Sequence, residues 1–133
     1  MSVPFRIAAL IPTYDNPRTV RGVVESVRKH VPDVLVVDDG SGPEGEAACA
    51  ALAREGLATV LRLPRNSGKG AAMKAGFAQL LAAGFTHAVQ VDADGQHDLA
   101  QVPVFAEAAR NRPEALVAAY PVYDATEIGR AHV

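Results

Sequence analysis

The stretch Val34-Leu-Val-Val-Asp-Asp-Gly-Ser-Gly42 decides the fold, because a short apolar run ends abruptly in two carboxylates and a glycine-rich turn. A strand that is buried on both faces has this near-continuous apolar composition. Four other runs share the pattern, and these are Ile7 to Ile11, Ala58 to Leu63, Ala88 to Val91 and Ala115 to Ala119. We therefore predict a buried strand at each of the five runs.

Helical periodicity separates the predicted strands. The clearest case is a set of valines spaced three and four residues apart on one helical face, namely Val20, Val23, Val24, Val27 and Val31. Asn16 and Pro17 predict the start of this helix as an N-cap and a first-turn proline. A weaker pattern predicts a second helix from about Glu44 to Arg54.

Two further helices are predicted in the second half of the chain. The third has an apolar face formed by Met73, Phe77, Leu80 and Leu81. The fourth begins with a capping-box-like pattern at Asp98. Alternating strands and helices predict an α/β fold with a mostly parallel sheet and helices on both faces. Ligands of such sheets bind at the carboxyl ends of the strands, so those ends are examined for function.

Composition narrows the class of partner. The chain has 133 residues, of which 49% are hydrophobic, and a net charge of −2, which fits one packed domain. This balance argues against a nucleic-acid partner held by charge. Cys49 is the single cysteine, so no disulfide can form within the chain. No signal peptide and no membrane span are apparent in the sequence.

The first strand is followed by polar residues that exceed the needs of a turn. These are Thr13, Tyr14, Asp15 and Asn16. Helix capping explains Asn16, but it does not require the other three polar residues. The second strand ends in Asp38 and Asp39, whose side chains alternate in direction and need separate partners. We expect Asp38 to accept backbone N–H groups and Asp39 to accept a hydrogen bond from a base or ribose.

The third strand leads into Gly68, Lys69 and Gly70. The amides of the two glycines and the ammonium group of Lys69 suit a phosphate at a helix N-terminus. A P-loop is excluded, because Leu63 stands where that motif requires a glycine. A glycine-rich helix start without any ligand has equal weight on this segment alone.

The fourth strand is followed by Asp92 and Asp94. Residues two apart in extended backbone face the same way, so we expect the two carboxylates to converge. Converging carboxylates suit Mg²⁺ or Mn²⁺ bridging a diphosphate. An EF-hand is excluded because Gly95 comes too early. The Asp-x-Asp pattern alone arises often by chance.

Together the four strand ends resemble family 2 glycosyltransferases, the GT-A fold group that includes dolichyl-phosphate mannosyltransferase. The matching segments are Ile11-Pro-Thr-Tyr14, Val37-Asp-Asp-Gly-Ser41, Asn66-Ser-Gly-Lys-Gly-Ala-Ala-Met-Lys-Ala-Gly76 and Asp92-Ala-Asp-Gly-Gln-His-Asp98. Their order and spacing make the resemblance specific. It implies a Rossmann-like GT-A nucleotide-sugar-binding domain over residues 1–127.

The resemblance also implies a reaction and a site. The reaction is transfer of a sugar, with inversion, from a nucleoside-diphosphate sugar. The implied donor-binding residues are Pro12, Thr13, Tyr14, Asp15, Asp39, Lys69, Asp92 and Asp94. The implied ligands of Mn²⁺ or Mg²⁺ are Asp92, Asp94 and Gln96. Similar family members act on lipid or polymer acceptors at the inner face of a membrane. We therefore expect a lipid or polysaccharide acceptor and a cytoplasmic location, at that face in the full-length parent.

The acceptor-side half of the family, which supplies the general base, should follow the last predicted strand. No carboxylate that we can name here takes the place of that base, so we hypothesise that the chain is truncated. Residues 128–133 match a translated sequencing adapter, and we hypothesise that they are not native. An in-frame genomic stop after Val133 would refute the truncation.

Other functions are weighed against the transferase. A non-catalytic nucleotide-sugar-binding module would bind nucleotide with metal but turn over no sugar. A sugar nucleotidyltransferase needs a glycine-rich basic signature after the first strand, and Pro12-Thr-Tyr-Asp15 lacks it. A dinucleotide dehydrogenase is disfavoured because no G-x-G-x-x-G pattern follows that strand.

Overall fold

The computed structural model describes residues 4–95, 102–112, 120–122 and 130–132. The elements in chain order are β1 Ile7–Thr13, α1 Val20–Arg28, β2 Val34–Asp38, α2 Pro43–Arg54, β3 Thr59–Arg62, α3 Lys69–Ala82, β4 His87–Gln90, α4 Val102–Asn111, β5 Tyr120–Val122 and β6 Arg130–His132. The predicted strand over 115–119 and the predicted helix start at Asp98 lie outside the described residues. No helix in the described part of the chain is long and apolar enough to cross a membrane.

A four-stranded sheet in the order β3-β2-β1-β4 forms the centre of the fold. All of its pairings are parallel, which confirms the sequence prediction. β1 lies between β2 and β4, so the direction of strand succession reverses on either side of β1 and leaves a crevice at its carboxyl end. β5 and β6 form a separate antiparallel pair.

Helices cover both faces of the sheet, as predicted. Buried side chains of α1, α2 and α4 pack on one face together with apolar residues of β1 and β2. α3 packs on the other face against Leu10, Leu35 and Val37. The two central strands are buried at nearly every position, which explains their near-continuous apolar sequence.

The predicted apolar face of α3 is half right, because Leu80 is buried and Met73 packs against the core, whereas Phe77 and Leu81 do not face it. Phe77 is 46% exposed and Leu81 is 75% exposed, although both were expected to face the core. The buried face consists of Ala72, Gly76 and Leu80. A Cβ atom at Gly76 would lie 2.5 Å from Leu10 Cδ1, so the helix approaches the sheet through its small residues. That close approach leaves Phe77 and Leu81 on the outer side of the helix.

The start of α1 is also displaced from the prediction. The helix begins at Val20, and Asn16 and Pro17 lie in the preceding turn. The carbonyl oxygen of Asn16 accepts a hydrogen bond from Val20 N at 3.1 Å. The side chain of Asn16 instead accepts a hydrogen bond from the hydroxyl of Thr13, which is part of the site described below.

Cys49 gives a testable consequence of this packing. The side chain is buried in α2, and burial, with a smaller effect of Asp38, raises the pKa of its thiol to about 11. The thiolate is the nucleophile, and a rise of this size makes it ~100-fold scarcer at pH 8 than in the unfolded chain. We expect iodoacetamide to label the folded protein at least that much more slowly than the urea-unfolded protein, measured by mass spectrometry. Equal rates would contradict the buried placement.

Candidate functional site

A cleft of about 290 Å³ lies at the carboxyl ends of the strands. Its walls are the turns after β1, β2 and β4 and the segment that leads into α3. The residues that line it are Pro12, Thr13, Tyr14, Asn16, Asp39, Asn66, Gly68, Lys69, Ala72, Asp92, Ala93 and Asp94. The cleft thus occupies the crevice beside β1 where ligands of open parallel sheets bind.

The structure brings together most of the residues that the sequence analysis singled out. Pro12, Thr13, Tyr14, Asp39, Lys69, Asp92 and Asp94 all line this cleft. Asp15 does not line it. Its carboxylate oxygen Oδ1 accepts a hydrogen bond from Gly42 N at 2.8 Å, and its own N–H donates to Ser41 Oγ at 2.9 Å. Gln96 lies outside the described residues.

Asp38 anchors the turn after β2. Its side chain is 1% exposed, and its two oxygens accept hydrogen bonds from Ser41 N at 2.9 Å and from Arg62 Nη1 at 2.6 Å. Arg62 also donates to the Ser41 carbonyl at 3.0 Å and pairs with Glu46 at 3.0 Å. Asp38 thus accepts a hydrogen bond from a backbone N–H group, as predicted. It also binds a guanidinium group from the neighbouring strand, which was not predicted.

Asp39 faces the cleft and joins three of its walls. Its N–H donates to the Thr13 carbonyl at 2.9 Å, while its carboxylate oxygens accept from Ser67 N at 2.8 Å and Gly68 N at 2.9 Å. The Gly68 amide, which suited either a phosphate or a ligand-free helix start, is therefore hydrogen-bonded to Asp39. Each carboxylate oxygen has two lone pairs, so Asp39 can accept further hydrogen bonds from a ligand.

Gly40 lies where two walls of the cleft cross. Its φ is +77°, and a Cβ atom there would lie 2.3 Å from Arg65 C and 2.4 Å from Asn66 N. No side chain fits this gap, and the left-handed conformation itself favours glycine. The turn after β2 and the segment before α3 are thus in direct backbone contact.

The turn after β1 forms the wall on the side of Tyr14. Asn16 Oδ1 accepts hydrogen bonds from Thr13 Oγ1 at 2.9 Å and from Tyr14 N at 3.3 Å, which fixes the turn. The side chain of Tyr14 is 49% exposed at the mouth of the cleft. An exposed aromatic ring on a fixed turn offers a surface on which a planar base can stack.

Asp92 and Asp94 line the same cleft, although β4 ends at Gln90 and the chain turns at Ala93 and Asp94. The expected extended backbone is therefore not the reason that they share a wall. Ala93 is 2% exposed between them, and its carbonyl accepts a hydrogen bond from Thr19 Oγ1 at 2.6 Å. The anchored Ala93 presents its two acidic neighbours to the cleft.

Lys69 connects α3 to this acidic pair. Its Nζ atom donates to Asp92 Oδ1 at 2.8 Å, and Gln90 Nε2 donates to the same oxygen at 2.8 Å. Within the described residues, no three His, Cys, Asp or Glu side chains are grouped to hold a metal ion by themselves. Two carboxylates would share a metal ion with waters and ligand oxygens, which is common for Mg²⁺ sites.

Several residues of this site escaped the sequence analysis. Gln90 lies two positions before Asp92, and that spacing is a signal that could have linked them. Asn66 was part of a quoted motif but received no role. Arg62 and Thr19 act through contacts that are distant in sequence, at Asp38 and Ala93, and no local pattern indicates them.

The chain matches the family model described as Glycosyl transferase family 2 over residues 8–132. It is 38% identical over 109 residues to an undecaprenyl-phosphate mannosyltransferase of Micrococcus luteus, a match that covers 79% of this chain and 44% of that protein. It is 40% identical over 97 residues to a polyprenol monophosphomannose synthase of Mycolicibacterium smegmatis, covering 69% of this chain and 36% of that protein. The chain thus spans less than half the length of these relatives.

Solved structures show the same fold. One is glucosyl-3-phosphoglycerate synthase from Mycobacterium tuberculosis in complex with Mn²⁺, UDP and glucosyl-3-phosphoglycerate, with a TM-score of 0.58, 21% identity and coverage of 77% of this chain and 39% of that chain. Another is the mannosyltransferase PcManGT from Pyrobaculum calidifontis with GDP-Man and Mn²⁺, with a TM-score of 0.54, 22% identity and coverage of 67% and 27%.

Proposed function

Because the chain belongs to glycosyl transferase family 2, we propose that its cleft binds a nucleoside-diphosphate sugar together with a divalent metal ion. The bound sugar is then transferred with inversion to a lipid or polysaccharide acceptor. The activity of the whole protein is part of this proposal, since the chain covers less than half of its relatives.

The charge of the cleft carries the proposal. Its described lining holds three carboxylates, from Asp39, Asp92 and Asp94, against the one ammonium of Lys69. A diphosphate entering such a cleft without a counter-ion is repelled, whereas a divalent ion that bridges it to the carboxylates reverses the sign of the interaction. The donor set fits this ion, because carboxylates are the hard oxygen ligands that Mg²⁺ and Mn²⁺ prefer. The ammonium group of Lys69 already binds Asp92, which shows that this carboxylate accepts a positive charge.

Each wall of the cleft has a role in this proposal. Pro12, Thr13 and Tyr14 line the nucleoside pocket, and Asp39 accepts a hydrogen bond from the base or ribose. Lys69 contacts the diphosphate. Asp92 and Asp94 hold the metal ion, with Gln96 as a further ligand. When bound, the ion offsets the negative charge that develops on the leaving diphosphate.

Mannose is the sugar that the relatives favour. One relative is named an undecaprenyl-phosphate mannosyltransferase and the other a polyprenol monophosphomannose synthase, so both names combine mannose with a polyprenyl lipid. One structural neighbour contains GDP-Man, whereas another contains UDP. We propose GDP-mannose as the donor and a polyprenyl phosphate as the acceptor, at the inner face of the membrane.

A calorimetric screen of GDP, GDP-mannose and UDP, each with and without Mn²⁺, tests the proposal. We expect GDP and GDP-mannose to bind at least about tenfold more tightly with Mn²⁺ present, because the ion bridges the two sets of negative charge. UDP is expected to bind more weakly than GDP. Tighter binding of UDP would overturn the choice of guanine nucleotide, and absence of any metal-assisted binding would overturn the proposed function.

A further inference from the structure

We propose that Lys69 competes with the divalent ion for Asp92 and moves to the diphosphate when the donor binds, so that metal and donor bind cooperatively. This inference rests on the proposed function and adds to it a regulation of the same site. The observation behind it is the ion pair between Lys69 Nζ and Asp92 Oδ1, which joins the proposed diphosphate contact to the proposed metal ligand at 2.8 Å.

The hydrogen bonds at Asp92 Oδ1 explain why the two cations compete. A carboxylate oxygen has two lone pairs, and Lys69 Nζ and Gln90 Nε2 donate to this one oxygen. A metal ion that binds Oδ1 must displace one of these donors. A metal ion on the other oxygen of Asp92 would still lie close to a positive ammonium group, and like charges at that separation repel.

Lys69 is the donor that moves. The side chain of Lys69 is 57% exposed, and its ammonium group lies at the end of a flexible four-carbon stem. Gln90, by contrast, is half-buried in strand β4. The amide of Gln90 carries no charge and can continue to orient the carboxylate. Lys69 also lines the cleft, so an incoming diphosphate offers its ammonium group another anion within the same space.

The position of Lys69 in its helix argues against a purely stabilising role. It is the first residue of α3, and the first turn contains no acidic residue. A positive charge at a helix N-terminus opposes the helix dipole, so this lysine does not favour the helix electrostatically. The same location places it at the end of the helix that attracts phosphate.

The exchange makes each ligand assist the other. Metal binding releases Lys69 for the diphosphate, and diphosphate binding removes Lys69 from Asp92. By linkage, the factor by which donor tightens metal binding equals the factor by which metal tightens donor binding.

The test is the Lys69→Met substitution, with Mn²⁺ binding followed by electron paramagnetic resonance in the absence of nucleotide. We expect the variant to bind Mn²⁺ about fivefold more tightly than the wild type, the factor that corresponds to loss of one partly exposed ion pair. Lys74→Met is the matched control, because Lys74 is an exposed lysine of the same helix that does not line the cleft. It is expected to leave Mn²⁺ affinity unchanged. Lys69→Arg retains a competing cation and is expected to behave as the wild type.

A second titration with saturating GDP measures the coupling. GDP is expected to tighten Mn²⁺ binding by a smaller factor in Lys69→Met than in the wild type. Mn²⁺ binding that is equal or weaker in Lys69→Met without nucleotide would overturn the exchange, and the proposed function would stand if the wild type binds GDP with Mn²⁺. A wild type that binds no Mn²⁺ would overturn the exchange and the proposed metal site together.

Discussion

Replacing Asp94 by alanine is expected to abolish manganese-dependent nucleotide binding while the fold stays intact. Asp94 is exposed in the turn after β4 and lines the cleft. Its removal leaves Asp92 as the one described carboxylate at that turn to hold the ion. Since loss of an orienting neighbour alone weakens metal sites 10- to 100-fold, we expect loss of a ligand to cost at least about 100-fold in affinity.

The measurement is calorimetry of GDP with Mn²⁺, together with thermal unfolding to establish that the variant is folded. Asp33→Ala is the matched control, because Asp33 is an exposed aspartate just before β2, at the opposite end of that strand from the cleft. It changes the net charge equally and is expected to leave affinity unchanged. An unchanged affinity in Asp94→Ala would remove the metal assignment.

Replacing Arg62 by methionine is expected to lower the free energy of unfolding by about 3 kcal/mol, because it leaves the buried Asp38 carboxylate without its charged partner. Asp38 is 1% exposed, and the Ser41 N–H from the turn would still donate to it. The turn that carries Asp39 depends on the same guanidinium, which also bonds the Ser41 carbonyl. Nucleotide affinity is therefore expected to fall with stability.

Urea unfolding of Arg62→Met and Arg21→Met distinguishes the cost of leaving a buried carboxylate unpaired from the cost of losing a surface ion pair. Arg21 pairs with Glu55 on the surface, where the two side chains are 41% and 52% exposed. Arg21→Met is expected to destabilise the protein far less than Arg62→Met, as is usual for surface pairs. Neutralising the orphaned group in the double variant Asp38→Asn, Arg62→Met should recover part of the loss. Equal costs for the two single arginine variants would contradict this account.

The apolar runs located all four strands of the parallel sheet, but the predicted burial was wrong for β3 and β4, which lie at its edges and are only partly buried. β1 and β2 are buried on both faces, and their near-continuous apolar composition follows from that burial. Helix α3 shows where periodicity fails in part, since Leu80 is buried as predicted but Phe77 and Leu81 are exposed. Periodicity counts the large apolar residues, whereas the packing of α3 was decided by Gly76, whose lack of a side chain admits Leu10.

The candidate site was predictable in its location but not in its internal bonding. Parallel topology brings the strand ends together, so Asp39, Asp92 and Asp94 could be expected in one place. The partners of these groups come from elsewhere in the chain, as the amides of Ser67 and Gly68 on Asp39 illustrate. Asp15 is a carboxylate after a strand end, like the site residues, yet it accepts a hydrogen bond from the backbone N–H of Gly42. Which group each carboxylate binds depends on three-dimensional distances, and the spacing of residues in the sequence does not reveal them.

The backbone contact at Gly40 restricts how the cleft can be engineered. An insertion in either crossing segment would lift Arg65 and Asn66 away from Gly40 and pull the amides of Ser67 and Gly68 off Asp39. Libraries that vary loop length there should yield mostly variants in which the cleft no longer forms. Substitutions at Tyr14, whose exposed side chain is not wedged between two backbones, should preserve the fold and change only the surface offered to the base.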